Sequence, residues 1–315
     1  MNISLELKRL RQLDLEPNLN EKRRPYLSSA SGLVQAHGRL YVVSDDEISL
    51  GVFPLTMGQP GFLLPIWEGR LPEKKDERKK LKPDLESLVL LDTKMWASGG
   101  SLLVIPSGSK PNRQEGALLH FSESGLLQGK PQPIHFSPLY QHLQKQFPDL
   151  NIEGATVSGS TFKILQRGNG QSSRNAVINL DFSSVLQGLG SHQQISPDTI
   201  ISIKHIDLGT LHGVPLGFTD AASPAPNQTW FLAAAEDSES TYHDGQNMGT
   251  AIGCLDPNDQ LIFMTELPTA IKFEGLLIPR TGDARTFYVV SDADDPELPS
   301  ELYQGTLPVL DHIRP

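Results

Sequence analysis

Only one cysteine, Cys254, stands in 315 residues, so no intrachain disulfide and no cysteine metal cluster can form. No apolar run approaches the roughly 20 residues that cross a bilayer. The opening segment, MNISLELKRLRQLDLEP, is too charged for a secretory signal. A reducing cytoplasm is therefore the expected compartment, where the sequon Asn227-Gln228-Thr229 carries no weight. Basic residues are in the minority, 27 Lys and Arg against 37 Asp and Glu, for a formal net charge of −10. That balance argues against a nucleic-acid backbone as partner and favours cations or plain solubility. No G-x-S-x-G elbow and no H-E-x-x-H helix occurs, so two common hydrolase signatures are missing. GNGQSS at 168–173 lacks the following helix that a phosphate loop needs, and reads as a turn.

A returning pattern is what the chain does have. The runs SASGLVQAHGRLYVVSDD from Ser29, DLESLVLLDTKMWASGGSLLVIPSGS from Asp84 and NIEGATVSGSTFKILQRGNG from Asn151 share one character. FTDAASPAPNQTWFLAAAED from Phe218 and KFEGLLIPRTGDARTFYVVSDADD from Lys272 repeat it. Their starts lie roughly 55–65 residues apart, a period that marks a repeat architecture. Short strands between Gly, Pro, Asn and Asp turns make each unit a four-stranded blade. The repeats cover nearly all of the chain, so one domain over 1–315 is expected, an all-β five-bladed propeller. Six blades are the alternative if 183–215 hides another.

The expected strands are 31–36, 39–44, 48–54 and 62–66 in the first unit, and 86–91, 101–105, 115–121 and 132–136 in the second. The third gives 153–158, 161–166, 174–181 and 199–207. The fourth gives 219–223, 229–235, 249–255 and 260–266. The fifth holds only 274–278, 286–291 and 301–307. An orphan strand within 3–14 fits that vacancy, and pairing it with 301–307 closes the ring and removes two exposed edges. Three segments fall outside the pattern. GRLPEKKDERKKLKPD, 69–84, reads as a solvated loop, with docking of an acidic partner as the alternative. The insertion 137–149 reads as a surface helix over a blade junction, with Ser137 as its cap and Pro138 at its first position. SSVLQGLG, 183–190, reads as a short helix ended by glycine.

In such a ring the first strand of each blade lines the axis, and the end of the second returns to the same mouth. Aligning the repeats gives an inner ring of Ser31, Glu86, Glu153, Asp220 and Glu274. The ends of the second strands give an outer ring of Asp45, Ser107, Arg167, Glu236 and Asp292. Residues two before the inner ring share its face: Ser29, Asp84, Asn151, Phe218 and Lys272. At 5–7 Å and an effective dielectric of 20, each pair of ionised carboxylates costs about 2–3 kcal/mol. Either some protonate, or they cap backbone amides at strand ends or pair with Lys272 and Arg167, or a metal binds. Oxygen ligands of this kind suit Ca²⁺ or Mg²⁺. Glu86, Glu153, Asp220 and Glu274 are the candidate metal ligands, with calcium the expected ion. Asp45, Arg167, His243 and Asp292 are the candidate catalytic residues. Arg167 would orient an anion, and His243, after the fourth unit's acidic strand end, would serve as acid–base. His37, His212, Lys110, Arg113 and Arg174 are weaker candidates beside the mouth.

The phrases IEGATVSGSTFKILQRGN, FEGLLIPRTGDARTFYVVSDAD and SGLVQAHGRLYVVSDD resemble the rhythm of the phytase-like and esterase-like-phytase propeller superfamily, in a bacterial branch of it. The resemblance implies a propeller with a calcium-binding acidic face and phosphate ester hydrolysis. Glu153, Glu274, Asp45 and Asp292 match its motif positions, while Ser31 and Ser107 replace acids and the mouth is not rich in Lys or Arg. Calcium-dependent lactonase propellers are a similar analogy. The expected function is a metal-dependent hydrolase of a small anionic molecule, a phosphate ester or a lactone. A non-catalytic scaffold is the alternative. A monomer without nucleic-acid or membrane contacts is expected.

Overall fold

The protein, seen here in a computed structural model, is described over residues 5–17, 24–93, 95–168, 174–237, 246–280, 283 and 285–310. Leu7–Gln12 forms β1. The first blade follows as Ala30–Ala36 (β2), Arg39–Ser44 (β3), Ser49–Pro54 (β4) and Phe62–Pro65 (β5). Within the charged run, Lys75–Leu81 forms a short helix, α1, none of whose residues is buried. Part of the expected loop is thus helix. Lys, Glu and Arg are good helix formers, but an apolar face, the usual signal, is missing.

The second blade is Leu85–Leu91 (β6), Ser101–Pro106 (β7), Glu115–Phe121 (β8) and Leu127–His135 (β9). Ser137–Leu143 (α2) then buries Leu139, Tyr140 and Leu143 completely. It is therefore core, not surface, although it does cover a blade junction. Phe136 takes the cap position with no side-chain cap bond, so Ser137 is a helical residue and not the cap. The third blade is Ile152–Ser158 (β10), Thr161–Gln166 (β11), Asn175–Asp181 (β12) and Ile200–Ile206 (β13), with Phe182–His192 (α3) between its last two strands. Gln193, at φ 53°, supplies the left-handed end of α3 that a glycine was expected to supply. The fourth blade comprises Thr210–Leu211 (β14), Val214–Ala222 (β15), Thr229–Asp237 (β16), Gln246–Leu255 (β17) and Leu261–Glu266 (β18). The fifth is Phe273–Leu277 (β19), Thr286–Ser291 (β20) and Glu301–Thr306 (β21).

Five sheets result, and β1 pairs antiparallel with β21 to complete the fifth. This is a five-bladed propeller closed by the N-terminal strand. The innermost strands neighbour one another in a ring, β2 to β6, β10, β15, β19 and back to β2. Each hydrophobic core is a junction between adjacent blades: one joins Val43 and Tyr41 to Leu102 and Phe121, and another joins Leu33 and Phe53 to Val290 and Leu302. Interior packing of that kind fixes the blades face to face.

Every inner strand slips register once, between Ala30 and Gly32, Leu85 and Ser87, Ile152 and Gly154, Phe218 and Asp220, and Phe273 and Gly275. A bulge re-aims the extra side chain. The bulged residues are Ser31, Glu86, Glu153, Thr219 and Glu274. The fourth member of the ring is therefore Thr219, and the alignment on Asp220 is one residue out. The residue after each bulge sits where adjacent blades nearly touch. A Cβ on Gly154 would lie 2.9–3.0 Å from the backbone of Asp220 and Ala221. No helix among the described residues is long and apolar enough to cross a membrane.

Candidate functional site

The two rings, with Thr219 in place of Asp220, face each other at one end of the axis. In four blades a backbone bond ties the outer ring to the residue two before the inner ring. The N–H of Asp45 donates to Ser29 O, Ser107 to Asp84 O, Arg167 to Asn151 O, and Asp292 to Lys272 O, at 2.8–3.1 Å. The charged side chains then divide into two groups.

The first lies at blades one and two. Asp45, Asp84 and Glu86 each bring a carboxylate oxygen within 4.8 Å of the others. Lys82, 8% exposed, sits among them. Its Nζ contacts Asp45 Oδ2 and lies 3.3 Å from both Asp46 Oδ1 and Asp84 Oδ1. On the other side of Asp84, Oδ2 accepts from Arg113 Nη1 at 2.6 Å and from Ser107 Oγ at 2.5 Å. Asp84 itself takes φ 59°, a left-handed backbone that Asp tolerates better than most residues. Asp45 Oδ1 is buried without a hydrogen-bond partner. Glu86, 7% exposed, has no hydrogen-bond or ion-pair partner among the described residues. Burial, then Glu153, Asp84 and Asp45, hold its carboxyl well above the usual range. Burial pushes Asp45 up to about 7 against the pull of Lys82.

The second group spans blades three to five. Arg167 Nη2 is 2.9 Å from Glu236 Oε2, and Nη1 lies 3.6 Å from Glu153 Oε1 and 3.9 Å from Glu274 Oε1. Lys272 Nζ is 2.8 Å from Glu236 Oε1, Glu274 Oε1 and Asp294 Oδ1, and 3.6 Å from Asp292 Oδ2. Asn151 Nδ2 donates to Glu153 Oε1, and Ser31 Oγ to Glu274 Oε2 at 3.4 Å. Burial raises Glu153 to about 8 although Arg167 opposes it. Burial also acts on Glu236, but Arg167 and Lys272 outweigh it and hold that carboxyl at about 2. Asp292 is pushed well above its usual range by burial and by Glu274.

Of the expected ligands, Glu86, Glu153 and Glu274 thus sit at the mouth, but only Glu86 joins the tight carboxylate group. Asp220 does something else: its Oδ2 accepts the Leu276 N–H at 2.7 Å, stitching β15 to β19. Burial keeps its carboxyl well above the usual range. Asp45 and Asp292 stand where expected. Arg167 does too, but three carboxylates surround its guanidinium. His243 lies outside the described residues. His37 is at the far end of the axis, with Nε2 2.8 Å from Gly99 O and its ring against Phe121. His212 pairs with Glu266 at 2.9 Å. The alternation of strand side chains picks out Asp84 and Lys272; nothing in the sequence picks out Lys82, which belongs to a uniformly charged run.

A family model matches residues 26–307, from just before the first blade to just after the last strand. The chain belongs to that family, which is described as a family of unknown function (DUF6929). No curated protein matches it. Among solved structures, a glutaminyl cyclase from Myxococcus xanthus is similar at 11% identity and a TM-score of 0.51, covering 99% of this chain and 100% of that one. A luciferin-regenerating enzyme is similar at 11% identity and 0.47, covering 96% and 95%. An arabinanase from Bacillus subtilis is similar at 10% identity and 0.42, covering 89% and 94%. At such identities the likeness extends to the fold alone. The phytase-like resemblance stays with the short motifs that carry it.

Proposed function

We propose that this member of DUF6929 is a divalent-cation-dependent hydrolase of a small anionic substrate, a phosphate ester or a lactone, working at the acidic mouth. One observation carries the reading. Asp45, Asp84 and Glu86 converge within 4.8 Å, Asp45 Oδ1 is buried without a hydrogen-bond partner, and Glu86 has no hydrogen bond or ion pair among the described residues. Unpaired buried carboxylates are expensive, and an all-oxygen set fits a hard ion such as calcium. When bound, such an ion supplies electrophilic activation of a substrate oxygen or of water. The remaining roles belong to the chain. Glu153, at about 8, holds a proton at neutral pH and is suited to acid–base work. Asn151 and Arg167 fix its carboxylate. Lys272 holds Glu236, Glu274, Asp292 and Asp294 in place, so Asp292 positions neighbours and does not face substrate alone. His243 keeps its acid–base role as an expectation.

A second reading rests on Lys82. Its ammonium already lies among Asp45, Asp46 and Asp84, which suits a scaffold whose mouth is neutralised from within. Calorimetric titration of chelated protein with Ca²⁺, followed by a screen of phosphate esters and lactones, separates the two. The hydrolase reading expects calcium binding, a loss of about tenfold or more in Glu86→Gln, and cation-dependent turnover of some ester. Absence of calcium binding, or an inert protein with calcium bound, favours the scaffold.

A further inference from the structure

Beside the carboxylates lies a group of cations that the proposed chemistry has not used. The segment 107–113 is closed on itself by Gly108 N–H donating to Arg113 O at 2.8 Å and Arg113 N–H to Lys110 O at 2.9 Å. It is fastened to the end of α1 through backbone carbonyls. Arg113 Nη2 donates to Lys79 O at 2.9 Å, and Asn112 Nδ2 to Lys80 O at 3.2 Å and Lys82 O at 3.3 Å. These bonds bring Lys79, Lys82, Lys110 and Arg113 into one another's fields. Lys82 and Arg113 share Asp84 between them. Lys110 is exposed and has no hydrogen-bond or ion-pair partner among the described residues. Its ammonium is held below the usual lysine range by partial burial first, then by Arg113, with Lys79 and Lys82 adding to the same effect. Arg113 is 7% exposed, and its Nε is a buried donor with no acceptor.

Like charges gathered by fixed backbone bonds, with one ammonium unpaired and one guanidinium donor unfilled, call for an oxyanion. We infer that Lys110, with Lys79 and Arg113, forms a binding site for a compact oxyanionic group, bordering the carboxylate cluster at its member Asp84. Arg167 is the poorer receptor, because three carboxylates, Glu236, Glu153 and Glu274, surround its guanidinium, whereas one, Asp84, pairs with Arg113 and leaves its Nε without an acceptor. Within the proposed hydrolase the site selects a phosphate ester over a neutral lactone. The anionic group rests on Lys110 and the ester oxygens face Asp84, Asp45 and Glu86. Only that catalytic role rests on the hydrolase reading; the oxyanion site itself does not.

The test uses the full chain and inorganic phosphate as probe, by calorimetry in chelator at low ionic strength, where exposed charges are least screened. Wild-type protein should bind phosphate. Lys110→Ala should weaken binding about tenfold or more, the scale of one charge-assisted hydrogen bond, and Lys110→Glu should abolish it. Arg167→Lys should bind as wild type. No phosphate binding by wild type, equal binding by Lys110→Ala, or weakening confined to Arg167→Lys would each overturn the inference. A separate calcium titration on the same proteins keeps the two ideas apart. Phosphate binding without calcium binding upholds the oxyanion site while sinking the cation reading; calcium binding without phosphate binding does the reverse.

Discussion

Lys272 is the side chain whose removal the second charge group should tolerate least. Its Nζ meets four carboxylates, Glu236, Glu274 and Asp294 at 2.8 Å and Asp292 at 3.6 Å, and it is 7% exposed. Burial alone would discharge it, yet those carboxylates hold its pKa well above the ordinary lysine value. Arg167 also reaches Glu236 and Glu274, but no other ion pair to Asp292 or Asp294 is found among the described residues. Lys272→Met keeps the length of the stem and removes the charge, so the cavity contribution is small. Breaking a buried pair by deleting one partner costs about 3–5 kcal/mol. The pH dependence has a definite sign. Without the ammonium the folded-state pKa values of these acids rise. A raised carboxyl stabilises the fold below its unfolded value and loses that stabilisation as pH climbs through its folded value. Glu236, now held at about 2, also loses the stabilisation it gives above its unfolded value. The cost should therefore be largest near pH 8 and shrink toward pH 5, by about 1.4 kcal/mol for each unit a carboxyl has risen. Urea unfolding in chelator at the two pH values measures this, with Lys272→Arg as the charge-retaining control. A loss under about 1 kcal/mol at pH 8, or one equal at both pH values, would refute the reasoning.

Two other outcomes follow from the same geometry. Deleting residues 1–15 removes β1 and the buried Leu5, Leu13 and Leu15, each worth about 1.5–3 kcal/mol. The sum approaches the whole stability of a domain, so the truncated protein should aggregate or melt far earlier, and an unchanged melting curve would contradict closure by that strand. In chelator, the raised carboxyls Asp45 (about 7) and Glu153 (about 8) should make the fold lose stability between pH 5 and pH 8.5. Calcium should stabilise most at the upper end of that window, and a melting temperature that rises with pH in chelator would count against the assignment.

The blade pattern was open to a reader of the sequence because it depends on local physics. Alternating apolar residues and Gly or Asn turns mark each strand. The one leftover strand, Leu7–Gln12, meets the one vacancy beside Glu301–Thr306. What failed was the part set by packing between blades. In FTDAA the acid at 220 drew the alignment, yet the bulge falls on Thr219, whose Oγ1 donates to Phe273 O at 2.9 Å. A better marker was present. The residue before each bulge is a fully buried apolar one, Ala30, Leu85, Ile152, Phe218 or Phe273, and in four blades the residue after it is Gly32, Ser87, Gly154 or Gly275. Counting from Phe218 would have placed Thr219 correctly. Lys82 left no comparable trace, because its burial depends on where the end of α1 comes to rest.

Four acids around one ion was the expected arrangement, with protonation or pairing with Lys272 and Arg167 as the alternatives. The structure distributes the relief of their charge unevenly. Arg167 and Lys272 pair with Glu236 and Glu274 on one side, where burial still raises Glu153, and Lys82 and Arg113 hold Asp84 and one oxygen of Asp45 on the other. Asp220 leaves the contest by capping Leu276. Glu86, a member of the first group, has no hydrogen bond or ion pair among the described residues, and its carboxyl is raised by burial and by acids on both sides. A buried acid in that position must stay protonated or acquire a cation from outside. The charge that decides between a closed structural mouth and a working metal site is therefore that of Glu86. Replacing it by Gln mimics the protonated form: the substitution should leave an ion-free scaffold intact and disable an ion-dependent enzyme.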